Sequence, residues 1–247
     1  MAGVTEAAGA AADVVDAADD ARCRRRRVRL TDDSIAARVR REYAREAARY
    51  ERRWAAYLRG SMELVRPWLA ETPAGALLDV GCGTAVLLDA LRGWGMTPKR
   101  YVGADPSSEM LRRAAERIGD GARAAVVCAP AEALPFEGGA FGTVVSVSSL
   151  HYWPDPQAGL REMRRVLRPE GRIIVADWAR DFATMRLMDA VTRLKGHAIV
   201  RTYAEREIRA MLEEAGLRVV RSRRKKIGPL WGLWVAEAKK VDINLLG

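Results

Sequence analysis

Two periodicities divide this chain. Beyond Pro73, short apolar runs of strand length recur between turn residues: ALLDV (76–80), RYVGA (100–104), RAAVV (123–127), TVVSV (143–147) and RIIVA (172–176). Helical spacing takes over between them. One helix is expected after Thr84, a second after Asp105-Pro106-Ser107, and a third through GLREMRRVL, which gives way to Pro169-Glu170-Gly171 before the fifth run. Strands and helices alternating in this way build a parallel sheet covered on both faces. Farther on, DFATMRLMDAVTRLK is an amphipathic helix, and TYAEREIRAMLEEAG opens with Thr202 and Glu205 at capping-box spacing and ends at Gly216. The segments LRVVRSRRKKI and LWGLWVAEAKK read as a hairpin joined through Gly228-Pro229, which closes the sheet with an antiparallel strand. The expected fold is therefore α/β, a doubly wound sheet of seven strands, five parallel plus the hairpin.

The N-terminal third carries a different pattern. Thr31-Asp32-Asp33 offers a helix cap, and Ile35, Val39, Tyr43, Tyr50, Trp54 and Tyr57 then share one face of a helix or closely spaced helix pair. Pro67 and Pro73 mark its break. Three regions result: a disordered Ala/Asp/Arg-rich tail (1–30), an N-terminal helical segment (31–70) and the sheet domain (71–247).

Composition narrows the class. With 247 residues and 49% hydrophobic content, the chain can bury one substantial core. Cys23, Cys82 and Cys128 are odd in number and far apart, which matches neither a disulfide framework nor a zinc site with paired ligands, so no metal and a cytoplasmic setting are expected. The first residues are interrupted by aspartates and lack a signal peptide's basic start, and no apolar run reaches membrane-spanning length. The net charge of +10 is concentrated at RCRRRRVR (22–29) and RSRRKK (221–226). Such runs can bind phosphate, but the first lies in the low-complexity tail and solvation accounts for it, so nucleic acid is not the expected partner.

LLDVGCGTAVLL (77–88) carries the chemistry. A strand enters a Gly-x-Gly turn and leaves as a helix, letting backbone amides approach a ligand closely at the first crevice of the sheet. Asp105, after the second strand, lies where a carboxylate accepts hydrogen bonds from both ribose hydroxyls of a nucleoside. A dinucleotide site would want a third glycine where Val86 stands and no carboxylate at Asp79 beside the pyrophosphate. A cationic sulfonium ligand with a free amino group tolerates Asp79, because the charges complement one another.

Four segments in order resemble class I S-adenosylmethionine (SAM) dependent methyltransferases: LLDVGCGTA (77–85), YVGADPSSEML (101–111), APAEALPFEGGAFGTVVSVSSLHYW (129–153) and EMRRVLRPEGRIIVADW (162–178). The resemblance implies a Rossmann-like fold, SAM as cofactor with S-adenosylhomocysteine as product, and an N-terminal helical lid. It assigns Asp79, Gly81, Cys82 and Gly83 to the methionine part, and Asp105 to the ribose. Pro106 and Met110 would form the adenine wall, with Pro130, Ala131 and Glu132 along the adenine edge. Ser146 and His151 would flank the methyl donor, Tyr50 and Trp54 would shield the sulfonium from the lid, and Trp178, His197 and Tyr203 would line the acceptor pocket. Four positions depart from the family pattern: Ala85 replaces glycine, Pro130 an acid, Gly142 an aspartate and Glu170 a glycine. Pro130 cannot bond the adenine amino group, which costs about 1 kcal/mol of cofactor affinity.

Methyl transfer is an in-line displacement that needs alignment, desolvation and, for some nucleophiles, a base. His151, just past the fourth strand, is the candidate base. The chain lacks the Asn/Asp-Pro-Pro-Tyr motif of adenine and glutamine amino-methyltransferases and the Pro-Cys nucleophile for cytosine C5, and its cysteines do not match the acceptor-side set of arsenite methyltransferases. The resemblance is strongest to ubiquinone/menaquinone-type and secondary-metabolite enzymes, implying a small apolar or aromatic acceptor with an O, N, C or S nucleophile. Competing readings are a SAM-fold protein that transfers no methyl group, an RNA methyltransferase using residues 221–226, and, least favoured, a dinucleotide oxidoreductase.

Overall fold

Each apolar run forms a strand in the computed structural model, which describes residues 35–71, 75–119, 123–194 and 201–241, with side chains outside that description at 35–52, 192 and 193. A long helix α1 (Ile35–Ala70) precedes β1 (Ala76–Val80), α2 (Val86–Gly93), β2 (Arg100–Asp105), α3 (Ser108–Ile118), β3 (Ala124–Cys128) and β4 (Phe141–Val147). A 3-10 turn (Leu150–Tyr152) leads to α4 (Pro156–Val166), β5 (Leu167–Trp178), α5 (Ala183–Leu194), α6 (Glu205–Glu214), β6 (Leu217–Ile227) and β7 (Trp231–Lys240). The seven strands lie in the order β3-β2-β1-β4-β5-β7-β6, with β1 to β5 parallel and β7 antiparallel to both its neighbours. This is the expected Rossmann-like doubly wound sheet with its C-terminal hairpin.

The central strands are largely apolar because both faces are covered. On one face Leu78, Val144 and Ile173 pack with Leu160 and Met163 of α4 and Ile208 and Leu212 of α6. On the other, Leu77, Val145 and Ile174 pack with Val65 and Trp68 of α1, Leu88 of α2 and Leu111 of α3. The order of the strands reverses between β1 and β4, so the carboxyl ends of β1, β2, β4 and β5 surround the crevice where ligands bind in such sheets. Local sequence starts the helices near it: Ser107 Oγ accepts from Met110 N at 3.4 Å to cap α3, and Asp155 accepts from Ala158 N at 2.9 Å to cap α4, with Pro156 in the first turn.

Three boundaries differ from those the sequence suggested. Pro67 does not break α1, which runs 36 residues to Ala70: the proline sits in the last turn, and buried Trp68 and Leu69 hold that turn against the sheet. Strand β5 begins at Leu167, so Pro169-Glu170-Gly171 is an excursion within it, where the register against β4 shifts between Phe141 and Thr143. Gly171 is required there, since a Cβ would lie 2.8 Å from the Gly142 carbonyl. Helix α6 is capped at Ala204, whose N–H donates to Glu207 at 2.7 Å; Thr202 instead donates to the buried Asp189 of α5 at 3.0 Å. The tail 1–30 and the Thr31 cap lie outside the described residues.

Candidate functional site

The turn after β1 is held open by hydrogen bonds and by backbone that only glycine adopts cheaply. Gly81 (φ 74°) and Gly83 (φ 53°) are left-handed, and the N–H groups of Gly81 and Cys82 donate to the Ala104 carbonyl of β2 at 2.7 and 3.1 Å. A side chain at Gly81 would strike Ser149, whereas Gly83 faces no protein atom within 4 Å and leaves the backbone open to a ligand. Ala85 keeps the left-handed conformation (φ 60°) at a cost of ~1 kcal/mol, so this departure from the family pattern does not redirect the chain.

Two carboxyls face this turn. Asp105 Oδ2 accepts from Gly83 N at 2.9 Å and Oδ1 from Ser107 N at 2.8 Å. Burial pushes its carboxyl up to about 6 against these two donors. Asp79, on β1, is buried and accepts from the Tyr101 hydroxyl at 2.7 Å; burial, with a smaller contribution from Asp105, pushes it up to about 7. Cys82 is a buried free thiol pushed well up by the same burial, hence inert, and its Sγ lies where a Cβ on Gly103 would need to be.

Across the crevice, the ends of β4 and β5 make a second cluster. Ser146 is fully buried, its Oγ 2.7 Å from Ser149 Oγ, which donates to the Val80 carbonyl at 3.1 Å and so ties β4 to the glycine turn. His151 is buried with Nδ1 2.5 Å from Asp177 Oδ1, and its backbone N–H donates to Asp177 Oδ2 at 3.2 Å. In the neutral imidazole tautomer that donates from Nδ1 to the Asp177 carboxylate, the lone pair lies on Nε2. Among the described residues His151 Nε2 is buried with no hydrogen-bond partner. Trp178 stacks on the imidazole with ring centres 4.2 Å apart and planes 15° from parallel. Its indole N–H donates to Tyr57 of α1 at 2.8 Å, and Trp54, Tyr57, Trp178 and Trp231 form one aromatic group.

A family model described as a methyltransferase domain matches residues 78–175, the span holding the glycine turn, Asp105, Ser146 and His151. Over these residues the chain carries a methyltransferase domain. It is 39% identical over 114 residues to a demethylmenaquinone methyltransferase of Mycolicibacterium gilvum, covering 46% of each chain. It is 34% identical over 138 residues to a malonyl-[acyl-carrier protein] O-methyltransferase of Alcanivorax borkumensis, covering 56% of this chain and 47% of that one. Among solved structures, the Burkholderia thailandensis 1,6-didemethyltoxoflavin-N1-methyltransferase, with its substrate and S-adenosylhomocysteine bound, shares the fold with a TM-score of 0.64 at 22% identity over 86% of this chain and 92% of that one. The chain spans about half the length of the curated relatives it matches.

The methyltransferase site fits SAM in two respects visible here. Asp105 is a preorganised carboxylate whose oxygens are each fixed by one backbone N–H, with lone pairs left for hydroxyl donors, and Gly83 gives the backbone clearance a bound nucleoside requires. Pro106 is half-buried after Asp105, and Met110 is buried on α3 beside it. Ala131 is buried near Trp153 and Gly159, and Glu132 accepts from Asp155 N at 3.2 Å, so the loop from Pro130 is anchored to the start of α4. Trp54 docks against Tyr57 and Trp231; the Tyr50 side chain and His197 lie outside the described residues. Tyr203 is buried and bridged to Ala179, close enough for the Asp177 charge to add to the burial that raises its phenol.

Sequence reasoning missed Asp177, Tyr57 and Ser149. A carboxylate at the carboxyl end of a strand, in VADW, was the available signal for Asp177. Two of the five basic residues in the 221–226 run are internally engaged: Arg221 bonds Glu71 and Glu237, and Arg224 bonds Asp181 and Glu205. Among the described residues no cluster of His, Cys, Asp and Glu could hold a metal, and no helix is long and apolar enough to cross a membrane.

Proposed function

We propose that this domain transfers the methyl group of SAM to a small, apolar or aromatic acceptor whose nucleophilic atom carries a proton, with His151 as general base. One observation carries this reading: Nε2 of His151 is buried and unpartnered while Asp177 fixes the opposite nitrogen, an arrangement that costs free energy unless a proton donor occupies the site. When bound, SAM supplies an electrophilic methyl group. Asp105 and the Gly83 backbone hold its nucleoside, Pro106 and Met110 flank the adenine, and Asp79 answers the charge of its amino group.

His151 Nε2 takes the acceptor's proton as its nucleophile commits to the methyl carbon. The Nδ1 proton stays on the ring, and the Asp177 carboxylate, which also accepts from Trp178 N at 2.6 Å, offsets the imidazolium charge. Aromatic surfaces at Trp178 and Tyr203 favour planar acceptors, in keeping with the quinone and heteroaromatic substrates in the names of the similar enzymes. The test begins with calorimetric titration of SAM and S-adenosylhomocysteine, with NAD(P)H as control, followed by methyl transfer to phenols, hydroquinones, amines and thiols. Micromolar adenosyl binding and a His151→Ala loss of turnover of about 100-fold or more at constant cofactor affinity are expected. Absence of adenosyl binding, or equal loss of binding and turnover in the variant, would overturn the proposal.

A further inference from the structure

The structure assigns Tyr57 of the N-terminal helix as a positioning residue for the base, acting through Trp178; this rests on the reading of His151 as that base. A tyrosine that only packed would be replaceable by phenylalanine, but the Tyr57 hydroxyl is buried and makes two bonds away from its own helix. It accepts from the Trp178 indole, which can only donate, at 2.8 Å, and shares a hydrogen bond with Ser148 Oγ at 2.5 Å. Ser148 holds a left-handed backbone (φ 57°) and its N–H donates to the Ala176 carbonyl at 2.8 Å. One hydroxyl thereby joins α1, the loop after β4 and the end of β5.

Trp178 transmits that placement. Its ring covers the imidazole face nearly in parallel, and its own backbone N–H is bonded to the same Asp177 oxygen that receives His151 Nδ1. Rotation of the imidazole away from Asp177 therefore requires the indole to move, and the indole is pinned at its nitrogen by Tyr57. Trp231, 5.0 Å from the Tyr57 ring, and Trp54, at 5.9 Å, hold the phenol from behind. The docking of α1 is thus read out at His151 through Trp178.

The test needs no acceptor. The chain has two histidines, so ring-15N labelling with a His197→Gln control assigns the His151 Nδ1 proton, and its exchange with water is measured. Tyr57→Phe keeps the ring and removes the hydroxyl; it should speed exchange about fivefold, the opening expected for one lost hydrogen bond, with S-adenosylhomocysteine affinity changed less than about twofold. Trp178→Phe should speed exchange as well, and adding Tyr57→Phe to it should change nothing further, because the hydroxyl acts through the indole nitrogen. Unchanged exchange in Tyr57→Phe, or effects that add in the double variant, would overturn the inference while leaving the base intact. An Asp177→Asn protein that keeps the protected proton would overturn the base assignment and this inference with it.

Discussion

Replacing Asp79 with asparagine should raise stability above neutral pH and lower cofactor affinity, and both effects follow from one buried charge. Burial raises this carboxyl from an ordinary 3.8 to about 7 in the folded chain, only partly offset by the Tyr101 hydroxyl. A raised folded pKa means the folded state binds its proton more tightly, so the associated stability is fully present below about pH 4 and is lost as pH rises through 7. Three pKa units at 1.36 kcal/mol each make that loss about 4 kcal/mol. Asparagine carries no charge to bury and can still accept from Tyr101, but its amide N–H needs an acceptor, which costs about 1–3 kcal/mol. The net expectation is Asp79→Asn within about 1 kcal/mol of wild type, or slightly less stable, at pH 4–5, and about 1–3 kcal/mol more stable at pH 8. Urea unfolding at both pH values measures the difference. In calorimetry at pH 8 the same variant should bind SAM about ten- to one hundred-fold more weakly, the worth of one charge-assisted hydrogen bond, and wild-type binding near pH 7 should release protons as Asp79 ionises against the ligand's amino group. A stability difference independent of pH would refute the raised carboxyl. Unchanged SAM affinity would remove Asp79 from the cofactor site and leave it a structural partner of Tyr101.

Asp105→Asn should weaken SAM and S-adenosylhomocysteine by at least about tenfold, since both ribose hydroxyls lose a charged acceptor, and equal affinity in calorimetry would refute its role. Gly103→Ala should cost about 1–3 kcal/mol in thermal unfolding, because its Cβ would sit 2.7 Å from Cys82 Sγ; Cys82→Ala should recover most of that loss, and failure to do so would locate the strain elsewhere. Arg221→Ala should cost about 1–2 kcal/mol, as it leaves the buried Glu237 only the 3.5 Å contact with Arg172, whereas removal of the exposed Glu71 should leave the unfolding midpoint unchanged. Equal effects at both positions would mean that Arg221 matters through its exposed pair with Glu71 and not for the buried acid.

What the sequence revealed and what it hid divide along a physical line. Signals confined to consecutive residues were legible: strands from apolar runs buried on both faces, the glycine turn from its spacing, and a helix start after Ser107, whose cap acts within three residues. Pro67 misled because local rules score a proline by its missing N–H, while tertiary contacts of Trp68 and Leu69 decide whether the turn persists. Thr202 misled for a similar reason: a hydroxyl suited to a cap was claimed by a buried carboxylate on another helix. The proposed base shows the same division at the site. His151 was legible from its place after β4, but Asp177 lies 26 residues on, at the tip of the next strand, and Tyr57 lies 121 residues before the indole it holds. No periodicity links such positions; only the parallel pairing of β4 with β5 brings the first pair together, and only the docking of α1 brings the second. Chemistry in a doubly wound sheet is assembled from strand ends that are neighbours in space and strangers in sequence, so single-residue candidates at those ends are readable while their partners are not.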